Sequence, residues 1–256
     1  MRHSITKKRI LSSSLFVSSF LVIVFFWMIL AIIYDNDLIF PNINQIAIAF
    51  IHIFKEIDNI IALLLTISRV IISVMISFLL GFFVLIIYIL FPSSMAFFNP
   101  IIQIMRSTPL AVLSIFIFII IGDKIGPYVI TVLMTFPVVI EGLLTATKQI
   151  NKDVMDEVKT LQGSSLKKIV YIYIPIIFPY IMMTLIQSLG MSFKVMIMGE
   201  YICQTDDSIG KILYGVKSNI EMDSLIAYGI LIVIIVVVLE LFIQMIKKHL
   251  LRNVLS

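Results

Sequence analysis

The sequence predicts an all-α, polytopic membrane protein with six transmembrane helices. Apolar residues make up 61% of the 256-residue chain, whereas typical soluble domains contain about 45–50%, and the mean hydropathy is +1.13. Several apolar runs exceed the roughly 20 residues that a helix needs to cross the hydrocarbon. The alternating pattern of a transmembrane β-barrel is absent, so the spans are expected to be helices.

Six apolar segments are the predicted spans, and they cover residues 15–34, 66–91, 97–121, 126–146, 173–197 and 224–246. The first is longer than the apolar part of a signal peptide and no small-residue cleavage site closes it, so we expect it to be retained. No internal repeat or linker divides the chain. Residues 1–256 are therefore expected to form a single transmembrane domain. Its parts are an N-terminal span with an external segment (1–61), a core (62–246) and a cytoplasmic tail (247–256).

The external stretch 41–57 places isoleucine and phenylalanine among polar residues. This pattern predicts an amphipathic helix on the outer membrane interface. A short re-entrant or buried core segment is the alternative.

The distribution of basic residues predicts the orientation of the chain. Of the 19 lysines and arginines, 12 lie before the first span, between spans four and five, or after span six. The opposite loops keep Lys55, Lys124, Lys211 and Lys217. Because basic residues are enriched in cytoplasmic loops, both termini and the loop between spans four and five are expected in the cytoplasm.

The loop between spans four and five carries the most specific motif. Glu157 is followed by Gly163 six positions later, and an apolar stretch then ends at Ile174-Pro175. This resembles the cytoplasmic E-A-A-x-x-x-G loop of ATP-binding-cassette (ABC) importer permeases, with Val158 and Lys159 in place of the two alanines. The resemblance implies a type I ABC importer permease fold. It also implies a loop that docks in a groove of an ATP-binding subunit, and the loop residues singled out are Glu157, Gly163, Ser164, Leu166 and Lys167.

Shorter segments in the same order resemble the nitrate, sulfonate and taurine branch of these permeases. They are Phe40-Pro41, Ser68-Arg69-Val70, Gly81, Met105 to Pro109, Phe136-Pro137, Gly199-Glu200 and Ser208-Ile209-Gly210, where Ser208 replaces a glycine. The branch implies a cell-membrane permease for a small organic anion or a thiamine-precursor-like heterocycle. Its implied partners are two ATP-binding cassette subunits, a second permease copy (a homodimer, or a heterodimer with a paralogue), an extracellular or periplasmic solute-binding protein and the lipid bilayer, with no nucleic acid.

Charged residues within the spans are candidates for a solute pathway, because a charge in hydrocarbon normally faces protein or a water-filled cavity. The candidates are Arg106 with Pro109 in span three, and Lys194 with Glu200 at the outer end of span five. The alternatives are an inter-helix clamp at Arg106 and a snorkelling Lys194. Arg69 and Glu240 are close enough to span ends to snorkel. Pairing of Lys194 with Glu200 would need a break or another helix, because their spacing of six does not share a helix face.

No pattern for catalysis is present. The three histidines are scattered over the two tails and the external stretch, and Cys203 has no basic neighbour that would activate it. No phosphate-binding G-x-x-x-x-G-K-[ST] loop occurs, so ATP hydrolysis is expected in separate subunits. We expect no catalytic residue, metal or cofactor. A membrane-embedded enzyme or an assembly factor is the alternative function, and a self-contained secondary carrier would need two repeated halves.

Overall fold

The computed structural model describes residues 18, 19, 21, 22, 24–34, 36, 38–151, 153, 158, 160 and 165–254. We number the helices of these residues α1 to α10. They are α1 (Val24–Tyr34), α2 (Ile43–Ile53), α3 (Ile57–Leu90), α4 (Met95–Ser107), α5 (Leu110–Ile121), α6 (Gly126–Lys148), α7 (Ser165–Lys168), α8 (Ile174–Cys203), α9 (Ile209–Ser218) and α10 (Met222–Val254). A 3-10 turn at Pro92–Ser94 precedes α4, and a π-helical turn at Ile169–Tyr173 joins α7 to α8.

Four helical segments are long and apolar enough to cross a membrane, and they are Ile57–Leu90, Gly126–Lys148, Ile169–Cys203 and Met222–Lys248. Helices α4 and α5 would make a fifth span if the two are taken together as a single bent span. The described residues therefore give four or five candidate spans, and the expected six are not confirmed. The predicted first span, 15–34, lies partly outside the described residues.

The third predicted span is wrong as a continuous helix over 97–121. Pro92–Ser107 and Leu110–Ile121 are bent by 98° relative to each other. Pro109 is the cause, because proline has no N–H to continue the helix and disfavours helical geometry in the residue before it. Thr108 is accordingly extended, with φ −71° and ψ 124°.

The structure consists of two compact units, which are Met1–Glu56 with Gly215–Leu231, and Ile57–Tyr214 with Ile232–Ser256. In the first unit, α2 confirms the helix expected within 41–57. Trp27 Nε1 donates a hydrogen bond to the Pro41 carbonyl at 3.2 Å, and the Phe40 ring packs edge-on against Trp27. These contacts hold the chain where it enters α2.

In the second unit, α6 is the central helix and packs most extensively against α8 and α3. Small residues allow this close approach, as is common between membrane helices. A Cβ on Gly142 would lie 2.3 Å from Thr184 Oγ1, and one on Gly81 would lie 2.8 Å from Val139 Cγ1. The buried hydroxyls of Thr135 and Ser192 share a hydrogen bond of 2.9 Å between α6 and α8. Together these contacts fix the position of α8 along its length.

Candidate functional site

The first candidate site is a buried carboxylate in the last turn of α8. The Glu200 side chain is 0% exposed, and its Oε1 lies 2.8 Å from Arg69 Nη1. The Thr66 hydroxyl donates to the carboxylate oxygens at 3.0 and 2.9 Å. The backbone N–H of Gly210 donates to Oε2 at 3.3 Å. A charge is stable in such a place only when it is paired and hydrogen-bonded, and Glu200 is both.

The same cluster holds the external segment that follows α8. Arg69 donates from Nη1 to the Asp207 carbonyl and from Nη2 to the Asp206 carbonyl, each at 3.1 Å. Ile209 N–H donates to the Thr66 hydroxyl oxygen at 3.1 Å. The planar guanidinium fork of arginine makes these divergent bonds possible, whereas lysine offers a single nitrogen. Arg69 therefore links α3 both to α8 and to the loop that begins α9.

The start of α9 explains two residues of the motif Ser208-Ile209-Gly210. Ser208 Oγ accepts a hydrogen bond from Lys211 N–H at 3.1 Å, which is the usual N-terminal cap of a helix. Gly210 packs directly on α8, where a Cβ would lie 2.3 Å from Tyr201 N and 2.4 Å from Glu200 Cβ. Glycine is required at this position because no other residue allows the two helices to approach so closely.

Two possibilities considered for these charges are not realised in the structure. Arg69, rather than Lys194, pairs with Glu200, because Arg69 reaches across from a neighbouring helix. Arg69 does not snorkel into solvent, since its side chain is only 11% exposed. Lys194 is exposed and has no ion pair within 4 Å among the described residues. Thr66 was not predicted as part of this site, although it lies three residues before Arg69 on one helix face.

The second candidate site lies around Arg106 in the last turn of α4, before the bend at Pro109. Arg106 Nη1 donates to Glu141 Oε1 of α6, and the two side chains are 48% and 53% exposed. A cavity of about 400 Å3 opens beside the pair. Polar residues of α6 and α8 line it together with the pair, among them Thr145, Tyr180, Thr184 and Gln187. The cavity thus combines opposite charges with neutral hydrogen-bonding groups.

A third polar region lies on the loop before α9. Lys211 Nζ donates to Asp206 Oδ1, and both side chains are largely exposed. The hydrogen bond from Lys211 and its positive charge lower the pKa of Asp206 below its usual range. Asp58, Asp207 and Lys211 line a cavity of about 520 Å3 there. Exposed ion pairs of this kind add little to stability, so these side chains are available for interactions outside the chain.

Comparison with protein families identifies the chain. A family model described as "Binding-protein-dependent transport system inner membrane component" matches residues 93–255. The chain belongs to this family. The resemblance to ABC importer permeases is therefore confirmed at the family level, and the protein is a multi-pass inner membrane subunit of a transport system.

Comparison with solved structures shows the same fold for this transport component. A chain of the MetNI methionine ABC transporter, solved in inward-facing conformations, matches with a TM-score of 0.58 and 15% sequence identity. The match covers 74% of this chain and 92% of that chain. At this identity the likeness shows the fold alone. A search among curated proteins found no match.

The motif of the expected ATPase-coupling loop lies mostly outside the described residues of the transport component. Glu157, Gly163 and Ser164 are outside them, while Leu166 and Lys167 belong to α7. The π-helical turn Ile169–Tyr173 follows, and α8 then begins with Pro175 in its first turn. The helical structure therefore continues from Ser165 through this turn into α8, the helix that carries Glu200.

Proposed function

We propose that this chain is the pathway-forming permease subunit of an ATP-driven ABC importer for a small solute. The observation that carries the proposal is the polar segment with Glu157 and Gly163, in a chain of this transport family, leading directly into the span helix α8. A segment of this length cannot fold around a core of its own, so it is either a loose connection or a docking element, and the motif favours docking. An ATP-binding subunit is the partner that the motif indicates.

The coupling loop comprises Glu157, Gly163, Ser164, Leu166 and Lys167. In the resembling permeases it inserts into a groove of the ATPase, so closure of the ATPase pair moves the spans. Gly163 permits the tight turn that this fit needs. Gly163→Trp is expected to abolish uptake and transport-coupled ATP hydrolysis while membrane insertion remains. Unchanged uptake by this variant would count against the proposed coupling role of the loop.

The complex is proposed to contain two copies of this permease, two ATP-binding subunits and an external solute-binding protein, with both termini of each permease in the cytoplasm. A single permease domain without an internal repeat is too small to enclose an alternating pathway, whereas a symmetric pair can. The test is purification of the tagged chain from its native membrane. Recovery without any nucleotide-binding protein would contradict the proposal, and disulfide cross-linking of single-cysteine variants would decide the number of copies.

The solute pathway is proposed to pass Arg106, Pro109 and Lys194. Arg106 and Lys194 are exposed at the surface of the described chain, whereas Glu200 is enclosed and acts on the pathway through the residues that it holds. Arg106 is paired with Glu141, so Lys194 is the cation that favours a solute with an anionic group. An organic anion of the sulfonate, taurine or nitrate type is therefore the first candidate, and a thiamine-precursor-like heterocycle is the second.

Arg106→Gln and Lys194→Gln test the pathway. Both variants are expected to reduce uptake while assembly with the ATP-binding subunits stays at the wild-type level. Lys124→Gln is the matched control, because Lys124 is exposed between α5 and α6, outside the spans. Wild-type uptake kinetics in both test variants would exclude a solute pathway that passes Arg106 and Lys194.

A further inference from the structure

The Arg69–Glu200 cluster joins α8 to the external segment that follows it. We propose that this cluster is a mechanical link, which transmits ATP-driven movement of α8 to the loop 204–208 and the first turns of α9, and transmits external docking back to the ATPases. The link is built from Thr66, Arg69, Glu200 and Gly210. It rests on the proposed function, because it assumes that ATP-binding subunits act on the loop before α8.

The first step of the argument is the continuity of α8. This helix has 30 residues, which corresponds to about 45 Å at 1.5 Å per residue. Its N-terminal end follows the proposed coupling loop, and Glu200 lies in its last turn. The Thr135–Ser192 hydrogen bond holds it against α6, and Gly199 packs so closely on Pro127 that an added Cβ would lie 3.3 Å from Pro127 Cα. Pro179 removes one backbone hydrogen bond near the N-terminal end of the helix, and the stretch from there to Glu200, which packs on α6, carries a displacement to the outer end.

The second step is the attachment of the external segment to that far end. Glu200 binds Gly210 N–H directly and reaches Ile209 N–H through the Thr66 hydroxyl. The rings of Tyr201 and Tyr214 add a contact between α8 and α9, with their centroids 5.6 Å apart. The start of α9 is therefore fixed to α8 by charge-assisted and neutral hydrogen bonds, by ring packing and by the glycine contact.

The third step is the two-sided structure of the loop. The carbonyls of Asp206 and Asp207 face Arg69, whereas the Asp206 side chain and its partner Lys211 are largely exposed. A partner that binds the outer side chains therefore acts on the same loop backbone that Arg69 holds from inside. Arg69 is paired with the buried carboxylate, and a buried pair is costly to separate, so the cluster moves as a unit.

Thermodynamic reciprocity gives the functional consequence. If nucleotide binding changes the affinity of the external loop for a docked partner by some factor, then docking changes the nucleotide affinity of the complex by the same factor. The cluster thus couples nucleotide affinity to the presence of a docked external partner. Residues 66, 69, 200 and 210 would be positioning residues that contact neither solute nor nucleotide.

The experiment measures amide hydrogen exchange of residues 205–214 in the purified complex with its ATP-binding subunits. Exchange without nucleotide is compared with exchange after trapping by Mg-ATP and orthovanadate. In the wild type, the amide exchange rates in the two states are expected to differ by on the order of fivefold or more, which is the lower end of typical couplings. Glu200→Gln keeps the side-chain shape but removes the charge, and its difference is expected to fall below about twofold.

Lys211→Ala is the matched control, because it breaks the exposed Asp206–Lys211 pair on the same loop without touching the cluster. It is expected to respond like the wild type. Thr66→Val is the second test variant. It preserves the ion pair and removes only the hydroxyl that joins Glu200 to Ile209, so it is expected to weaken the response. If Glu200→Gln does not assemble, the exchange response of Thr66→Val decides whether the cluster acts as a link. Basal ATP hydrolysis is expected to persist in every assembled variant.

The link is wrong if the wild type shows no nucleotide-dependent exchange at 205–214. It is also wrong if Glu200→Gln, or Thr66→Val where Glu200→Gln does not assemble, responds like the wild type. Failure of the proposed function would be a separate result. It would be seen if purification of the tagged chain recovered no ATP-binding subunit, or if Gly163→Trp left uptake unchanged.

Discussion

Alanine in place of Gly210 is expected to open the junction between α8 and α9. A Cβ at this position would lie 2.3 Å from Tyr201 N, 2.4 Å from Glu200 Cβ and 2.6 Å from the Glu200 carbonyl carbon. Two of these atoms are backbone, so no side-chain rotation relieves the overlap. The start of α9 must therefore move away, and the hydrogen bond from Gly210 N–H to Glu200 is lost with it.

The size of the effect follows from the cost of overpacking, which is about 1–3 kcal/mol for an added group in a well-packed site. We take about 2 kcal/mol for one methyl group that meets backbone atoms. A change of 1.4 kcal/mol alters an equilibrium constant tenfold, so the open state of the junction is expected to be about 30-fold more populated.

Cys203 provides the assay, because it is the chain's single cysteine, is 1% exposed and is the last residue of α8. Its labelling by a maleimide under native conditions reports the population of the locally open state. Gly210→Ala is expected to label about 30-fold faster than the wild type. Gly215→Ala is the control in the same helix, because a Cβ there meets nothing within 4 Å, and it should label no faster than the wild type. Equal rates for the two variants would refute the packing argument.

Two further predictions concern packing and backbone strain. Gly142→Ala is expected to separate α6 from α8, because its Cβ would lie 2.3 Å from Thr184 Oγ1; the melting temperature in detergent should fall, and Thr184→Ala should restore part of the loss by removing that oxygen. Ile220→Gly is expected to raise the melting temperature, since Ile220 has φ 60° and such strain costs about 1–3 kcal/mol, against about 0.5–1 kcal/mol for the flexibility of glycine. A lower melting temperature for Ile220→Gly would contradict the strain argument.

Apolar length predicts the main spans well and their ends poorly. The predicted span 126–146 corresponds to α6, and 173–197 corresponds to α8. The predicted span 66–91 corresponds to α3, which begins already at Ile57, because the apolar run from Ile60 to Leu65 belongs to the same helix. The bend at Pro109 could be predicted only from local backbone geometry, which an average of hydropathy over many residues does not contain. A window that counts apolar residues cannot distinguish one span from two short helices.

The partner of Glu200 could not be obtained from composition or spacing. Arg69 and Glu200 are separated by 131 positions, and their pairing depends on which faces of α3 and α8 meet. The predicted topology does place both at the outer ends of their spans, so depth in the membrane was the one usable signal. Glu141 is a comparable case. Its partner Arg106 reaches it only because of where α4 lies in the fold. Sequence analysis therefore found most of the charged residues of these sites but not the pairs.

The energetic coupling within the Arg69–Glu200 pair leads to a final prediction. Arg69→Met leaves the Glu200 carboxylate buried without its counter-charge, which typically costs about 3–5 kcal/mol, so Cys203 labelling should accelerate by more than about 100-fold. The double variant Arg69→Met/Glu200→Leu removes both charges, and replacement of a whole buried pair by apolar residues is often neutral. It should therefore label more slowly than Arg69→Met alone. Glu200→Leu alone supplies the second single effect. Labelling of the double variant at the product of the Arg69→Met and Glu200→Leu effects would mean that the charges do not interact, and Glu200 would then be stabilised by its Thr66 and Gly210 hydrogen bonds instead.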